Sequence, residues 1–398
     1  MKQKNNPKIA IVYDKVNTQY GGAEWVLVAL HNAFPTAPLF TALYDAKQAR
    51  WASVFTVFSS FLQRSPLKKH TFLVWLFPLA FESLDLSDYD IIISVTSGEA
   101  KGVLTKPNQL HISYILTPPR YLYTHVEQYL NQFSFLRLPI ISQITHVLLS
   151  YLRWWDQAAA HRPDVLIAIS KVVQKRIYDI YSLSSSIIYP PLPEVPKGVA
   201  VSKISSNNSF LLTLSRLVSY KRIDLAILAA LKTNKSLVVA GNGEEFSRLQ
   251  ILAGQHTVTR TNEDLAAFIS KETEQPGKII FVGTVSNEER LALLASAEAL
   301  LMPGIEDFGI TALEAANLGT PSILHAKSGV SEILTHNTAS IHISEESVSA
   351  LAEGIEQLAH TSFSIASLQK QANTCSTNVF TRKFKENVYD GIIQSEKN

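Results

Sequence analysis

The chain repeats one pattern along nearly its whole length: an apolar run, then a polar or glycine-containing loop, then a helical segment. Residues 8–14 form the first apolar run, and Gly21 and Gly22 lie in the loop before a helix predicted at 23–34. Near-continuous apolar strands are typical of parallel sheets that helices cover on both faces. Further strands are predicted at 91–95, 110–116, 165–169, 210–214, 236–240, 278–282, 297–303 and 322–325. The pattern therefore predicts an α/β protein built on parallel sheets.

A break in this pattern divides the chain near its middle. Prolines cluster at 190–193, and the Ser- and Asn-rich residues 202–209 follow, a composition typical of a linker. A chain of 398 residues is also too long for one ordinary core. We therefore predict two doubly wound, Rossmann-like domains, 1–195 and 196–375, that face each other across a cleft.

The charge balance differs between the two halves. Residues 1–195 contain 18 Lys and Arg against 13 Asp and Glu, whereas residues 196–398 contain 18 against 21, so the halves carry +5 and −3. The total of +2 argues against general nucleic-acid binding. We expect the first half, rather than the second, to face an anionic partner.

The sequence favours a cytoplasmic location. Cys375 is the only cysteine, so no intramolecular disulfide can form, as in a reducing compartment. The apolar stretch at 9–13 is too short for the core of a signal peptide. No run approaches the ~18 apolar residues that a transmembrane helix needs. We expect a cytoplasmic protein, with peripheral contact to the inner face of the cell membrane as a further expectation.

Two glutamates, Glu306 and Glu314, stand where a strand gives way to a helix. Glu306 lies on the loop after the strand at 297–303, and Glu314 lies about one turn into a helix predicted at 311–318. Ligands bind at this edge of open α/β sheets, and the N–H groups of residues 308–311 suit a phosphate. An acid beside a sugar, a second beside a ribose and a helix start facing a diphosphate describe a nucleotide-sugar site. The alternative is two solvated acids.

Nine segments, in order, resemble those of the retaining glycosyltransferases of family 4, which have the two-Rossmann-domain GT-B fold. They are GGAE (21–24), AFESLDL (80–86), AKGV (100–103), TPPRYL (117–122), IYPP (188–191), SRLVSYKRID (215–224), AGNGE (240–244), FVG (281–283) and EDFGITALE (306–314). The TPPRYL and YKRID versions resemble the bacterial mannosyl- and deoxyhexosyltransferases that build surface polysaccharides. The resemblance also implies that the last helix, at 376–398, packs back on the N-terminal domain.

The resemblance implies roles for individual residues. Arg216 and Lys221 correspond to the two cations that bind the donor diphosphate, and Glu306 to the acid beside the donor sugar; these three are the catalytic candidates. Glu314 corresponds to the ribose-binding glutamate. The donor-binding candidates are Gly22, Leu116, Phe281, Val282, Gly283, Asp307, Phe308, Gly309, Ile310 and Glu314. The family reacts by front-face attack without a defined protein nucleophile, so none is named.

The implied function is transfer of a hexose or 6-deoxyhexose from a nucleotide-diphosphate sugar, with a GDP-sugar expected first. The acceptor would be a glycan or a polyprenyl-linked glycan. Neither a cofactor nor a metal is expected. The alternatives on the same fold are a sugar-nucleotide epimerase, a phosphorylase and a non-catalytic binding protein. Arg216, Lys221 and the two glutamates argue against the epimerase and the binding protein, and the lack of a pyridoxal-phosphate lysine motif argues against the phosphorylase.

Two other segments attract functional hypotheses. Asp88 and Asp90 form an Asp-x-Asp pair, as in metal-dependent glycosyltransferases, but they precede a strand instead of following it. The segment 64–81 joins Arg64, two lysines and a histidine to an apolar stretch containing Trp75. It predicts either a contact with anionic lipid or a buried helix with a solvated start.

Leu116 departs from the pattern of the subgroup. Its members have Tyr-Cys-His-Thr-Pro where this chain has Tyr-Ile-Leu-Thr-Pro at 114–118. The histidine contacts the hydroxymethyl end of the donor sugar, and a leucine would leave that hydroxyl without a partner. One hypothesis is therefore a 6-deoxyhexose donor. The other is that the loop shifts and another residue or a water satisfies the hydroxyl.

Overall fold

The structure, a computed structural model, describes residues 7–19, 21–65, 73–124, 126–131, 139–195, 203–204 and 209–395. The chain forms two compact units. The N-terminal unit comprises Met1–Pro191 and Thr377–Asn398, and the C-terminal unit comprises Leu192–Ser376. The chain therefore leaves the first unit within the proline cluster and returns to it for its last helix.

The described residues of the N-terminal unit form one parallel sheet of seven strands. They are β1 (Ile9–Tyr13), β2 (Leu39–Thr41), β3 (Val57–Ser59), β4 (Ile91–Thr96), β5 (Leu110–Ile115), β6 (Val165–Ala168) and β7 (Ser186–Ile187). Their order is β3-β2-β1-β4-β5-β6-β7. Every residue of β4 and β5 is buried, as expected for central strands covered on both faces. The chain proceeds in opposite directions from β1 and β4, so a topological switch lies between these two strands.

Helices cover this sheet. Within the described residues they are α1 (Gly22–Ala33), α2 (Phe77–Glu82), α3 (Arg120–Tyr123), α4 (Val126–Asn131), α5 (Pro139–Ala160) and α6 (Lys171–Tyr181). Phe77 and Phe81 of α2 are fully buried in one core cluster with Val12, Phe40 and Ile92 of the sheet. The apolar part of the segment at 64–81 therefore contributes to the core.

The described residues of the C-terminal unit form a second parallel sheet of seven strands. They are β8 (Leu211–Leu214), β9 (Leu237–Ala240), β10 (Thr257–Thr259), β11 (Ile279–Gly283), β12 (Ala299–Met302), β13 (Ser322–His325) and β14 (Ser340–Ile343). Their order is β10-β11-β9-β8-β12-β13-β14, so the topological switch lies between β8 and β12. Strands β8 and β12 pair in parallel, with Leu211 opposite Ala299.

Seven described helices flank this sheet. They are α7 (Ile223–Lys232), α8 (Phe246–Ala253), α9 (Leu265–Glu272), α10 (Asn287–Ser296), α11 (Ile310–Asn317), α12 (Val348–Ala359) and α13 (Ile365–Ala372). Helix α10 begins with a capping box, in which Ser286 accepts a hydrogen bond from the Glu289 N–H and Glu289 accepts one from the Ser286 N–H. Buried residues of α7 and α12 share one core cluster with the central strands.

The last helix, α14 (Thr377–Ser395), packs on the N-terminal unit. Phe380 and Phe384 are buried, and their rings lie 5.8 and 5.9 Å from the ring of Tyr114 on β5. A Cβ on Gly391 would lie 3.1 Å from a side-chain atom of Leu110, so the helix also approaches the start of this strand. Edge-to-face rings at these distances are a favourable packing geometry. The predicted return of the last helix is confirmed.

The prediction of two Rossmann-like parallel-sheet domains is confirmed. The sequence analysis did not predict β2, β3, β7, β10 and β14, which have between two and four residues each. Four of these five are the outermost strands of their sheets, and β2 is next to the outermost strand β3. Short strands without a full apolar run suffice at these positions. Among the described helices, none combines the length and apolar character needed to cross a bilayer.

Candidate functional site

The loops that follow β8 and β12 meet at the switch of the C-terminal sheet. Lys221, at the end of the turn Ser219–Lys221 after β8, donates a hydrogen bond from Nζ to Oε1 of Glu306, on the loop after β12. The two side chains are 19% and 12% exposed, so a ligand can still reach this ion pair. The structure therefore brings together two of the three predicted catalytic residues.

The third, Arg216, lies on the same loop as Lys221. It is exposed, and its Nη2 donates a hydrogen bond of 3.2 Å to the hydroxyl of Tyr220. The Nζ of Lys221 lies 5.5 Å from the centre of the Tyr220 ring. Tyr220 thus contacts both cations of this short loop, one through its hydroxyl and the other through its ring. Sequence analysis did not identify Tyr220 as a candidate.

Gly304 explains how these two loops come so close. A Cβ at this position would lie 2.3 Å from the carbonyl oxygen of Tyr220 and 3.0 Å from the carbonyl carbon of Lys221. Real Cβ atoms do not make contacts of 2.3 Å, so any other residue at 304 would push the loops apart. The absence of a side chain at this one position therefore allows the contact between Lys221 and Glu306.

Neighbouring loops hold the backbone around Glu306. Its N–H donates to Oγ of Ser328 at 3.0 Å, and its carbonyl accepts from the N–H of Gly329 at 3.1 Å. Glu346 accepts from the N–H of Ile305 at 3.2 Å and from Nη1 of Arg222 at 3.0 Å. Glu306 is therefore positioned by the segments after β8, β13 and β14.

Helix α11 begins directly after this loop. Its N-cap is Gly309, whose φ of +109° favours glycine, and no described side chain caps it. The preceding Asp307 and Phe308 are buried, and the N–H of Val330 donates to the Phe308 carbonyl at 2.7 Å. The first N–H groups of a helix carry partial positive charge. The helix start at Ile310 therefore adds to the charge of Lys221 and Arg216.

Glu314 lies on α11 and is 7% exposed. Arg290 of α10 donates a hydrogen bond from Nη1 to its Oε1, and Asn287 accepts from Nη2 of Arg290 at 2.8 Å. Burial raises the pKa of the Glu314 carboxyl, and the guanidinium of Arg290 opposes that rise. Arg290 is a site residue that sequence analysis missed. Its only signal is its position on the helix before the strand that leads to Glu306.

Three of the donor-binding candidates, Phe281, Val282 and Gly283, form the end of β11. Phe281 is fully buried against Phe246, with ring centres 5.6 Å apart, so its side chain belongs to the core. Val282 is also buried. Gly283 has a φ of +70°, and a Cβ there would meet no atom within 4 Å. Only the backbone at Gly283, therefore, borders open space in this segment.

Gly22 and Leu116 belong to the N-terminal unit, and their donor-binding roles stay predictions. Gly22 is exposed at the start of α1. Leu116 follows β5, is half-buried, and its N–H donates to the Thr96 carbonyl at 2.8 Å. Both lie at the C-terminal edge of their sheet.

Buried polar residues surround the switch of the N-terminal sheet. Asp14 after β1 accepts hydrogen bonds from the Thr96 hydroxyl at 2.8 Å and from the N–H groups of Ser97 and Ala100 at 2.7 and 2.9 Å. Glu99 accepts one from the hydroxyl of Tyr121. Burial, with the charge of Asp14 second, raises the pKa of Glu99 to about 7. Sequence analysis named neither acid.

The AKGV segment contributes a second buried pair. Lys101 and Asp156 are each 1% exposed and form an ion pair. Asp156, on α5, also accepts from the hydroxyls of Tyr123 and Tyr181 at 2.8 and 2.7 Å. Lys101 therefore joins the loop after β4 to α5 and has a structural partner for its charge.

The two other sequence hypotheses concern Asp88, Asp90 and the segment 64–81. Asp90 accepts a hydrogen bond of 2.9 Å from the N–H of Lys8, and both acids precede β4. Among the described residues, no group of three or more His, Cys, Asp or Glu side chains is placed to hold a metal ion. Residues 66–72, which include Lys68, Lys69 and His70, lie outside the described residues.

A family model and two relatives match part of the chain. Residues 196–378 match the family model described as "Glycosyl transferases group 1". A glycosyltransferase of Methanocaldococcus jannaschii, described as uncharacterised, is 28% identical over 160 residues, which are 39% of this chain and 37% of the relative. A GDP-mannose-dependent alpha-(1-6)-phosphatidylinositol dimannoside mannosyltransferase of Mycobacterium tuberculosis is 34% identical over 113 residues, 28% of this chain and 24% of the relative. The chain thus spans less than two fifths of the length of these relatives.

A solved structure extends the likeness to the whole fold. The complex of Anabaena HepE with UDP has a TM-score of 0.63 and covers 96% of this chain and 100% of its own, at 16% identity. At that identity the likeness concerns the fold alone. Residues 196–378 are therefore similar to the glycosyl transferases group 1 family, and the chain has the two-domain fold of GT-B glycosyltransferases.

Proposed function

We propose that the protein is a retaining glycosyltransferase that moves a hexose or 6-deoxyhexose from a nucleotide-diphosphate sugar to a glycan or lipid-linked glycan. The observation that carries this proposal is the contact between Lys221 and Glu306 at the switch between β8 and β12. An accessible cation and acid at that edge of a domain similar to the group 1 family suit a charged sugar donor.

Charge on the leaving group is the main chemical demand. In the proposed step the bond between the donor's anomeric carbon and the diphosphate oxygen breaks, and its electron pair leaves with the nucleoside diphosphate. The acceptor oxygen bonds to the same face of the anomeric carbon, and its proton passes to the leaving oxygen. Arg216, Lys221 and the start of α11 place positive charge beside the diphosphate.

Glu306 is assigned to the positive charge that develops on the donor sugar. Positive charge develops on the sugar as the anomeric bond breaks, and a carboxylate held beside it stabilises that charge. Hydrogen bonds to Ser328 and Gly329 fix the Glu306 backbone for this task. We assign Glu306 to donor orientation and charge stabilisation, and we propose no protein nucleophile.

Glu314 is assigned to the ribose of the donor. A carboxylate accepts hydrogen bonds from two vicinal hydroxyls, and it does so best when ionised. Arg290 favours the ionised form of Glu314 against the effect of burial. We therefore propose that Arg290 acts through Glu314 as a positioning residue.

We propose a GDP-sugar as donor, without metal or cofactor. The Mycobacterium tuberculosis relative is described as GDP-mannose-dependent, which supports guanine, whereas HepE was solved with UDP, so uracil is the alternative to test. The two cations and the helix start supply positive charge that a divalent metal supplies in other transferases.

Nucleotide binding tests the proposal. Thermal unfolding would be followed with GDP, UDP and dTDP, each with and without EDTA, for wild type, Lys221→Met and a control, Lys271→Met, whose side chain is 75% exposed on α9. We expect a rise in Tm for wild type and the control, unaffected by EDTA, and a smaller rise for Lys221→Met. No shift with any of the three nucleotides would overturn the proposal.

The products of turnover separate the alternative functions. Incubation with a GDP-sugar and a glycan acceptor should give a lengthened glycan and GDP. Conversion of the GDP-sugar to its epimer without any acceptor would instead identify an epimerase. Tight binding of the GDP-sugar without any turnover would identify a binding protein. Turnover abolished by EDTA and restored by magnesium or manganese would contradict the metal-free mechanism.

A lipid-linked acceptor would place the reaction at a membrane surface. We propose that the protein is cytoplasmic and contacts the inner face of the cell membrane through its N-terminal unit. The excess of five positive charges in residues 1–195 supports this orientation.

A further inference from the structure

The outward face of α5 carries a stripe of large apolar side chains. The stripe consists of Ile144, Val147, Leu148, Tyr151 and Trp154, which are 55%, 69%, 37%, 42% and 68% exposed. Their spacing of three or four residues places them along one side of the helix. We call these five residues the α5 stripe.

The helix is already anchored by the face next to the α5 stripe. Leu149, Leu152, Trp155, Asp156 and Ala159 are buried, and they alternate with the α5 stripe at helical spacing. A helix on the surface of a globular protein normally turns charged and polar residues outward. Helix α5 therefore has two apolar surfaces, the face buried in the core and the exposed α5 stripe. Exposed apolar patches of this kind mark contact sites.

The charges around the α5 stripe favour an anionic partner. The sequence from Gln128 to Trp155 contains no Asp or Glu, but it contains Arg137 and Arg153. Within residues 1–195, 18 cations stand against 13 carboxylates. An anionic surface attracts this unit as a whole. The one carboxylate of α5, Asp156, is buried and paired with Lys101, so such a surface meets no exposed carboxylate beside the α5 stripe.

The aromatic residues of the α5 stripe favour a lipid bilayer as that partner. Tyr151 and Trp154 lie together at one end of the α5 stripe, with ring centres 6.4 Å apart, and the aliphatic residues lie at the other end. Tyrosine and tryptophan rings favour the headgroup level of a bilayer, where one edge is apolar and the other is wet. Aliphatic side chains beside them suit the acyl boundary.

We infer that the α5 stripe lies flat on the surface of an anionic membrane. The helix from 144 to 154 would present about 15 Å of apolar side chain to the lipid. This inference assigns the proposed membrane contact to residues outside the segment 64–81. In that segment Phe77 and Phe81 are fully buried, and Trp75 and Leu79 are exposed. It extends the proposed function, but it rests on exposure and charge and not on the reaction.

Vesicle co-sedimentation of the full chain tests the inference. The vesicles would contain phosphatidylcholine alone or phosphatidylcholine with phosphatidylglycerol. The test variant is Val147→Glu/Trp154→Glu, which adds two carboxylates to exposed positions. The control variants are Ile251→Glu, at an 81% exposed position of the C-terminal unit, and Trp75→Glu, at a 47% exposed position of the other segment.

We expect wild type to sediment with the anionic vesicles at low salt and less as salt rises. The double variant should lose at least about tenfold in partition, while both controls bind as wild type. Far-UV circular dichroism and the nucleotide-induced Tm shift should be unchanged in the double variant, which separates lost membrane contact from lost folding or lost donor binding.

The following outcomes would overturn the inference. Wild type does not bind anionic vesicles at low salt; the double variant binds as wild type does; Trp75→Glu alone abolishes binding; or Ile251→Glu does so. A wild-type dimer that the double variant converts to monomer, without vesicle binding by either, would assign the α5 stripe to a second copy of the chain and also overturn it.

Discussion

Arg290 on α10 holds the buried carboxylate of Glu314 on α11 through a hydrogen bond from Nη1. Asn287, one turn earlier on α10, accepts from Nε and Nη2 of the same guanidinium at 3.3 and 2.8 Å. The guanidinium is therefore fixed at both of its ends. Glu314 is therefore held in a defined orientation.

Arg290→Met should destabilise the protein by about 1–3 kcal/mol, because it leaves the carboxylate of Glu314 buried without its partner. Urea unfolding at neutral pH measures this. Adding Glu314→Gln to Arg290→Met should recover much of the loss, since the unpaired charge is then gone. Arg248→Met removes an exposed ion pair with Glu245 and should change stability little. Equal effects of Arg290→Met and Arg248→Met would contradict the role of Arg290.

Glu306→Gln and Lys221→Ala should each lower kcat by at least ~10²-fold, the scale of losing one preorganised electrostatic contact. Glu314→Gln should act mainly on KM, because it removes a contact that is the same in the ground and transition states. Steady-state kinetics with a GDP-sugar separates the two effects. Normal turnover in a folded Glu306→Gln variant would show that its role is assigned wrongly.

Gly304→Ala should separate the loops that carry Lys221 and Glu306, because the added Cβ would lie 2.3 Å from the Tyr220 carbonyl oxygen. We expect destabilisation of about 1–3 kcal/mol and weaker nucleotide binding. Gly98→Ala is the matched control, since its nearest contact would be an ordinary 3.4 Å. If Gly304→Ala and Gly98→Ala have the same Tm, the close approach at Gly304 does not contribute to stability.

Glu99→Gln should change how stability depends on pH. The pKa of Glu99 is raised from 4.5 to about 7 in the folded protein, mainly by burial. Its contribution to stability is thus fully present below pH 4.5 and is lost as pH rises towards about 7. Glutamine stays neutral at every pH, so the free energy of unfolding of the variant should rise relative to that of wild type as pH increases from 4.5 to about 7. Urea unfolding at pH 5 and pH 7.5 measures the difference, and an unchanged difference would contradict the raised pKa.

Leu116→His tests the donor sugar. If the donor is a 6-deoxyhexose, wild type should prefer it to GDP-mannose, and the histidine should shift the preference towards mannose, because it offers the 6-hydroxyl a hydrogen-bond partner worth about 1–3 kcal/mol. Competition between the two GDP-sugars gives the ratio of kcat/KM. A clear preference for mannose in wild type, unimproved in Leu116→His, would rule the deoxy hypothesis out.

The sequence places Lys221 and Glu306 each after a strand, but it does not state that these strands are neighbours. That adjacency arises because β12 pairs with β8 and not with β11, the strand before it in the chain. Such pairings depend on the packing of whole sheets, which a local apolar pattern does not encode. The Gly304 contact follows from the same pairing, so it could not be predicted either.

The buried ion pairs also could not be predicted from the sequence. Lys101 stands in a recognised segment, yet its partner Asp156 lies on α5, 55 residues later, and nothing local marks either as buried. Arg290 and Glu314 are likewise 24 residues apart. In contrast, the capping box at Ser286 is a contact within one helical turn, and the Ser-x-x-Glu spacing of Ser286 and Glu289 is by itself the sequence signal for it.

Helix α14 is the last described element of the chain and part of the first unit. During synthesis, Phe380 and Phe384 leave the ribosome only after the whole C-terminal unit has been made, so Tyr114 lacks these two neighbours throughout that interval. The C-terminal unit holds its residues in one uninterrupted stretch and can close its core as soon as Ser376 emerges. The half of the protein that is translated first is therefore the last to mature.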